Sequence, residues 1–194
     1  MKFKILVLCL ILTIALVSTA TAEKKRSTED YTKHPGYVDF NLIEIFGDTE
    51  AKVEVSLKQP MLKLVSEFTK NEDPELFNIL GKLAVVRVFV FEADDKFTDK
   101  FDNQSSKTIK MLDNKGWERV VRVREDNEHV YVYLKPSTKY DFIEGIVVLA
   151  IEDGDEAVFV NIAGEIHPDD VSTLGHHFGI DDLDGISTHT HDED

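Results

Sequence analysis

From Trp117 to Ile166 the chain reads as four strands in close succession, and no other stretch constrains the fold as tightly. Trp117 to Arg124 and His129 to Lys135 are joined by Glu125-Asp126-Asn127-Glu128. Phe142 to Ile151 and Ala157 to Ile166 meet across Asp153-Gly154, a strong hairpin signal because the glycine supplies the positive φ that a tight turn needs. Antiparallel pairing follows, since a parallel neighbour needs a crossover of about a dozen residues or more. Upstream, Ala84 to Phe91 is apolar on both faces apart from Arg87, the composition of a central strand covered on both sides. Ala51 to Leu57 sets Val53, Val55 and Leu57 against Lys52, Glu54 and Ser56, the period of a half-buried strand, and Tyr37 to Phe46 predicts an opening strand or strand and turn.

Helix signals fall between these strands. Pro60 opens a helix whose Met61, Leu64, Val65 and Phe68 lie on one face, and Asp73-Pro74 offers an N-cap and first-turn proline for a shorter helix through Leu76, Phe77 and Leu80, with Gly81 placed to end it. Asp94 to Lys115 predicts an amphipathic helix with Phe97, Phe101, Ile109 and Leu112 on its apolar stripe and Gly116 as its stop. His167-Pro168-Asp169-Asp170 begins a last helix, the aspartates suiting the positive end of its dipole and Val171, Leu174 and Phe178 supplying its apolar side. The expected architecture is α+β, a mainly antiparallel sheet with helices packed against it.

The N-terminus has the order of a secretory signal: Lys2 and Lys4, the apolar run Ile5 to Val17, then the small residues Ala20-Thr21-Ala22. Residues 1–22 are therefore expected to be cleaved near Ala22, which predicts a periplasmic or secreted protein with no stable membrane insertion afterwards. The uncharged stretch is marginal for a spanning helix, which wants about 20 apolar residues. Cleavage would remove Cys9, the single cysteine, so the remaining chain would fold without an intramolecular disulfide and depend on packing. Residues 23–34 read as a polar flexible leader, 35–178 as one α+β domain, and 179–194 as an acidic, histidine-containing tail.

Charge narrows the classes of partner. The precursor carries a formal charge of −15, and losing Lys2 and Lys4 leaves 20 basic against 37 acidic side chains, or −17. Nucleic acid and anionic lipid both select clustered Lys and Arg, so neither is an expected ligand. The strings HExxH, GxSxG, a Walker loop and GxGxxG are all missing from the sequence, and with Cys9 removed no thiol nucleophile remains. Enzymatic activity is not expected on that basis, although a site assembled from distant positions leaves no string to read.

Two constellations carry chemistry. His189, His191 and Asp192 in the tail are candidate ligands for a divalent transition metal, since neutral imidazole is the commonest metal ligand; a solvated tail is the plainer reading, because a mobile segment loses entropy on closing around an ion. Arg122 and Arg124 on one strand, with Tyr131 and Tyr133 on the next, are expected to share a face. Cation–π packing would explain them structurally, and Arg and Tyr are also the residues favoured at binding hot spots, which makes these four the candidate partner-binding residues. Trp117 reads as core.

A family resemblance runs through His34-Pro35-Gly36-Tyr37-Val38-Asp39-Phe40, through Gly47-Asp48-Thr49-Glu50 leading into Val53 to Leu57, through Val85 to Phe91, Trp117, and Val158-Phe159-Val160-Asn161-Ile162-Ala163-Gly164. These stretches resemble the DUF4252 family of exported bacterial proteins, a domain of unknown function. The resemblance implies a bacterial, envelope-facing origin and, by association with extracytoplasmic sigma-factor and anti-sigma systems, envelope signalling. It implies no catalytic residues. The expectation is thus a non-enzymatic interaction or sensing module with a protein partner in the envelope; the alternatives are an extracytoplasmic metal-binding protein acting through its tail and a hydrolase with a distributed site.

Overall fold

The structure, a computed structural model, describes residues 30–39, 49–125 and 128–171, apart from the side chains of 102–106. Asp30–Ile166 forms one compact unit, and the residues after it belong to a second. The first unit is built on six strands: β1 (Val53–Lys58), β2 (Leu83–Glu92), β3 (Glu118–Arg124), β4 (Glu128–Pro136), β5 (Ile143–Glu152) and β6 (Glu156–Ile166). Their order is β1-β2-β6-β5-β4-β3, with every neighbouring pair antiparallel. The four-strand run from Trp117 onward therefore folds as expected, each strand beside the next, and β6 returns to pair with β2.

Local chemistry starts and stops the helices. In α1 (Gln59–Thr69), Pro60 occupies the first turn; in α2 (Pro74–Lys82), the Asp73 carboxylate accepts from the Leu76 amide at 2.9 Å; in α3 (Asp95–Asn114), the Asp94 carboxylate accepts from the Phe97 amide at 2.8 Å. Gly116, at φ 72°, ends α3: its N–H reaches the Asp113 carbonyl at 2.9 Å and that of Trp117 reaches Leu112 at 3.1 Å, the paired bonds of a Schellman cap. Lys135 from β4 adds a cation there, its ammonium donating to the carbonyls of Lys115 at 2.7 Å and Gly116 at 3.2 Å. Gly81, by contrast, does not end α2, which runs on to Lys82 and passes directly into β2.

The buried face of α1 differs from its sequence expectation. Leu62 and Ser66 are buried, with Val65 and Thr69 half-buried beside them, whereas Met61, Leu64 and Phe68 are exposed. The helix leaves β1 with no intervening turn residue, so the strand sets its rotation, and Ser66 and Thr69 can face inward because their hydroxyls donate to the carbonyls of Lys63 and Ser66, each at 2.9 Å.

Alternation sorts the sheet into two faces. One carries Phe89 and Phe91 of β2, Ala157 and Phe159 of β6, Val147, Leu149 and Ile151 of β5, and Tyr131 and Tyr133 of β4; Phe97, Phe101 and Leu112 of α3, with Trp117, complete this core cluster. The other presents Val86, Val88 and Val90 beside Val53, Val55 and Leu57. Helices α1 and α2 add nothing to the aromatic cluster; they pack on each other and against β1, β2 and β6. At the β5–β6 corner Gly154 has φ 76°, and Asp155 N–H closes the turn on the Glu152 carbonyl at 3.0 Å, as the Asp-Gly pair predicts.

Residues 30–34, assigned from sequence to the leader, are ordered: Asp30 caps a 3₁₀ turn over Tyr31–Lys33, and the Tyr31 ring stands edge-on to Tyr37 at 5.5 Å. Residues 37–39 are irregular rather than strand, and the rest of the expected opening strand, 40–46, lies outside the described residues. In the second unit, a helix begins at Pro168 and the Asp170 carboxylate accepts from the His167 amide at 2.9 Å, the return bond of a capping box. Leu174 and Phe178 lie outside the described residues.

Candidate interaction surface

Polar side chains meet this sheet in two ways, and the difference separates structural groups from available ones. The first is the strap 34–38. Asn161, at zero exposure, accepts from Val38 N–H at 2.9 Å and donates to the carbonyls of Gly36 at 2.9 Å and Ile146 at 3.2 Å, so one amide ties the strap to β5 and β6. Gly36 and Gly145 make the approach possible, because a Cβ on Gly145 would stand 2.7 Å from the Gly36 Cα. Arg87 serves the same purpose on β2. It is 8% exposed, donates to the Tyr37 hydroxyl at 3.0 Å and lies 4.7 Å from the Phe89 ring centre and 5.6 Å from that of Tyr37. Burial pushes the Tyr37 phenol up, with Arg87 pulling the other way.

β3 is the second case. It is an edge strand, paired only with β4, and its sequence Glu-Arg-Val-Val-Arg-Val-Arg does not alternate strictly, since Val120 and Val121 are adjacent. The register slips at that doublet: Arg119 pairs with Tyr133, but Val121 pairs with Val132, Arg122 with Tyr131 and Arg124 with His129. This is a β-bulge, and its effect is to turn Arg119, Arg122 and Arg124 to one face, the face of the aromatic cluster, where strict alternation would have sent Arg119 to the other. All three are exposed, and none forms an ion pair with another described residue although the chain carries 37 acidic side chains. Three of the five arginines in the sequence thus stand in a row on one strand.

The four residues expected to form a patch part company here. Arg122 does face the same side as Tyr131, as expected, and both arginines are at the surface. Tyr131 and Tyr133 are not: at 6% and 0% exposure they belong to the core, and Tyr131 packs on Phe101 at 6.3 Å. They cannot act as a ring platform for a partner. The Tyr133 hydroxyl is buried with no hydrogen-bond partner among the described residues; burial pushes its ionisation up, against the pull of the Arg119 guanidinium beside it. Sequence reading missed Arg119, and the doubled valine was the signal that could have found it.

His189, His191 and Asp192 lie outside the described residues. Among the described residues no three His, Cys, Asp or Glu side chains are grouped to hold a metal ion, and no helix is long and apolar enough to cross a membrane.

What the sheet order, the caps and the core define is an α+β domain of one antiparallel sheet under helices, with three exposed arginines along one edge that form no ion pair with another described residue. The chain belongs to the DUF4252 family, a domain of unknown function, which it matches over residues 46–174. That span includes all six strands and excludes the strap, so His34 to Phe40, part of the resemblance seen in the sequence, falls outside it. No curated protein and no solved structure matches the chain.

Proposed function

We propose that this domain is a non-enzymatic interaction module of the bacterial envelope, exported behind its N-terminal signal, which receives an acidic protein partner along β3. The observation that carries the reading is the row Arg119, Arg122 and Arg124: exposed, aligned by a bulge and without ion-pair partners among the described residues of a strongly acidic chain. Guanidinium groups bind carboxylates bidentately, and charge complementarity across an interface speeds encounter and rejects wrong partners. The net negative charge of the chain sharpens this selection, because it opposes the non-specific approach of an acidic partner.

Poly-glutamate is a sufficient probe. Titrated into the full chain, it is expected to bind with an affinity that falls as salt rises, and the triple variant Arg119→Gln, Arg122→Gln, Arg124→Gln is expected to lose that affinity by at least about tenfold. Lys63→Gln with Lys70→Gln, which removes cations from α1 or its C-cap, is expected to leave it unchanged. Equal losses from the two variants would show that binding follows overall charge and not this surface. Export is read separately, by N-terminal sequencing of the protein recovered from its compartment: a chain beginning near Glu23 is expected, and one beginning at Met1 would replace export with anchoring.

A further inference from the structure

The arginines are one side of β3; its backbone is the other. β3 runs for seven residues and pairs with β4 alone, so its outer row of N–H and C=O groups has no strand neighbour among the described residues. Natural sheets guard such an edge with charge and bulges, and β3 has both. Yet on the face of the aromatic cluster the guard has one sign, because Glu118, the only acid of β3, lies on the other face. A second copy offering its own β3 would bring arginine against arginine, whereas a strand carrying acids at alternate positions would bring carboxylates alongside Arg119, Arg122 and Arg124 on one face and its remaining side chains alongside Val121 and Val123 on the other.

Building on the reading of this edge as an acidic-partner surface, we propose that β3 accepts an extended acidic segment of that partner as a seventh strand, whose carboxylates at alternate positions pair with Arg119, Arg122 and Arg124. Backbone hydrogen bonds to the edge supply affinity that is blind to sequence, and the arginine row supplies the register and the choice of partner. Val121 and Val123 are half-buried, so apolar or β-branched residues between the acids gain burial on docking.

Three peptides of seven residues, the length of β3, test this against the full chain. One alternates Glu with Val and Thr; the second has the same composition with its glutamates contiguous; the third is the alternating peptide N-methylated at every second amide, prepared in both registers. The alternating peptide is expected to bind at least about tenfold more tightly than the contiguous one and to slow hydrogen exchange at β3 amides, and one N-methylated register is expected to abolish both effects. If alternating, contiguous and both methylated peptides bind alike and no β3 amide gains protection, strand addition is wrong while the acidic surface stands. If poly-glutamate also fails to distinguish the triple arginine variant, the surface reading falls with it.

Discussion

Arg87 and the β3 arginines occupy the same sheet and teach opposite lessons about a cation. Arg87 sits on an interior strand at 8% exposure, bonded to Tyr37 and flanked by two rings, so its charge is consumed in holding the strap. Arg119, Arg122 and Arg124 sit on the edge, exposed and without an ion pair among the described residues. An arginine buried among partners that the fold supplies is tied to stability, and one held at the surface without an ion pair among the described residues costs the fold little to change. Asn161 and Tyr133 repeat the contrast: one buried polar group has every hydrogen bond it needs, the other has none among the described residues.

The contrast is easiest to break at its strongest point. Asn161→Leu strips Val38 N–H and the Gly36 and Ile146 carbonyls of a partner, and should cost about 3 kcal/mol, measured as a shift in the urea midpoint with the slope unchanged. A loss comparable to a surface substitution would mean that the strap is not held by this amide. Arg87→Met keeps the aliphatic stem but removes the bond to Tyr37 and the ring contacts, and should cost about 1–2 kcal/mol. Tyr133→Phe removes a buried hydroxyl that makes no well-formed hydrogen bond among the described residues, although the Arg119 guanidinium lies beside it, and should shift stability by less than about 1 kcal/mol. Its second readout is pH. With its ionisation raised by burial, Tyr133 stays neutral in the fold while the unfolded phenol ionises, so stability is intact below the ordinary phenol pKa of 10.0 and falls as pH rises beyond it. Tyr133→Phe should flatten part of that alkaline decline, and an unaltered profile would assign it to other tyrosines. Smallest of all, the triple β3 arginine variant should move the urea midpoint by no more than about 0.5 kcal/mol per site, since unpaired surface charges contribute little to folding. A larger loss would place these arginines in the structural class with Arg87.

Legibility in the sequence followed the range of the interaction. Asp73, Asp94, Gly116 and Asp153-Gly154 act on residues within a turn of themselves, and the sequence located all of these boundaries. The rotation of α1 depends on how β1 delivers the chain, which no helical period encodes, so Met61, Leu64 and Phe68 read as inward and lie outward. Asn161 makes bonds to residues 123 and 125 positions away, and within an apolar strand nothing marks it as a clamp. Tyr131 and Tyr133 were misread for a related reason: their neighbours on β3 were legible, but the helix that covers their face comes from a different part of the chain.

The bulge at Arg119 to Val121 makes the edge behave like a vernier. The composition of β3 does not determine where its charge points; the phase of the strand does. Deleting either valine of the doublet would remove the need for the bulge and still keep the three arginines on one face, whereas deleting Val123 would leave every arginine in the sequence but set Arg122 beside Arg124, and alternation would then send one third of the cationic row to the reverse side of the sheet. A lineage could therefore rewrite what this edge attracts by the loss of a single codon, without altering one charged residue.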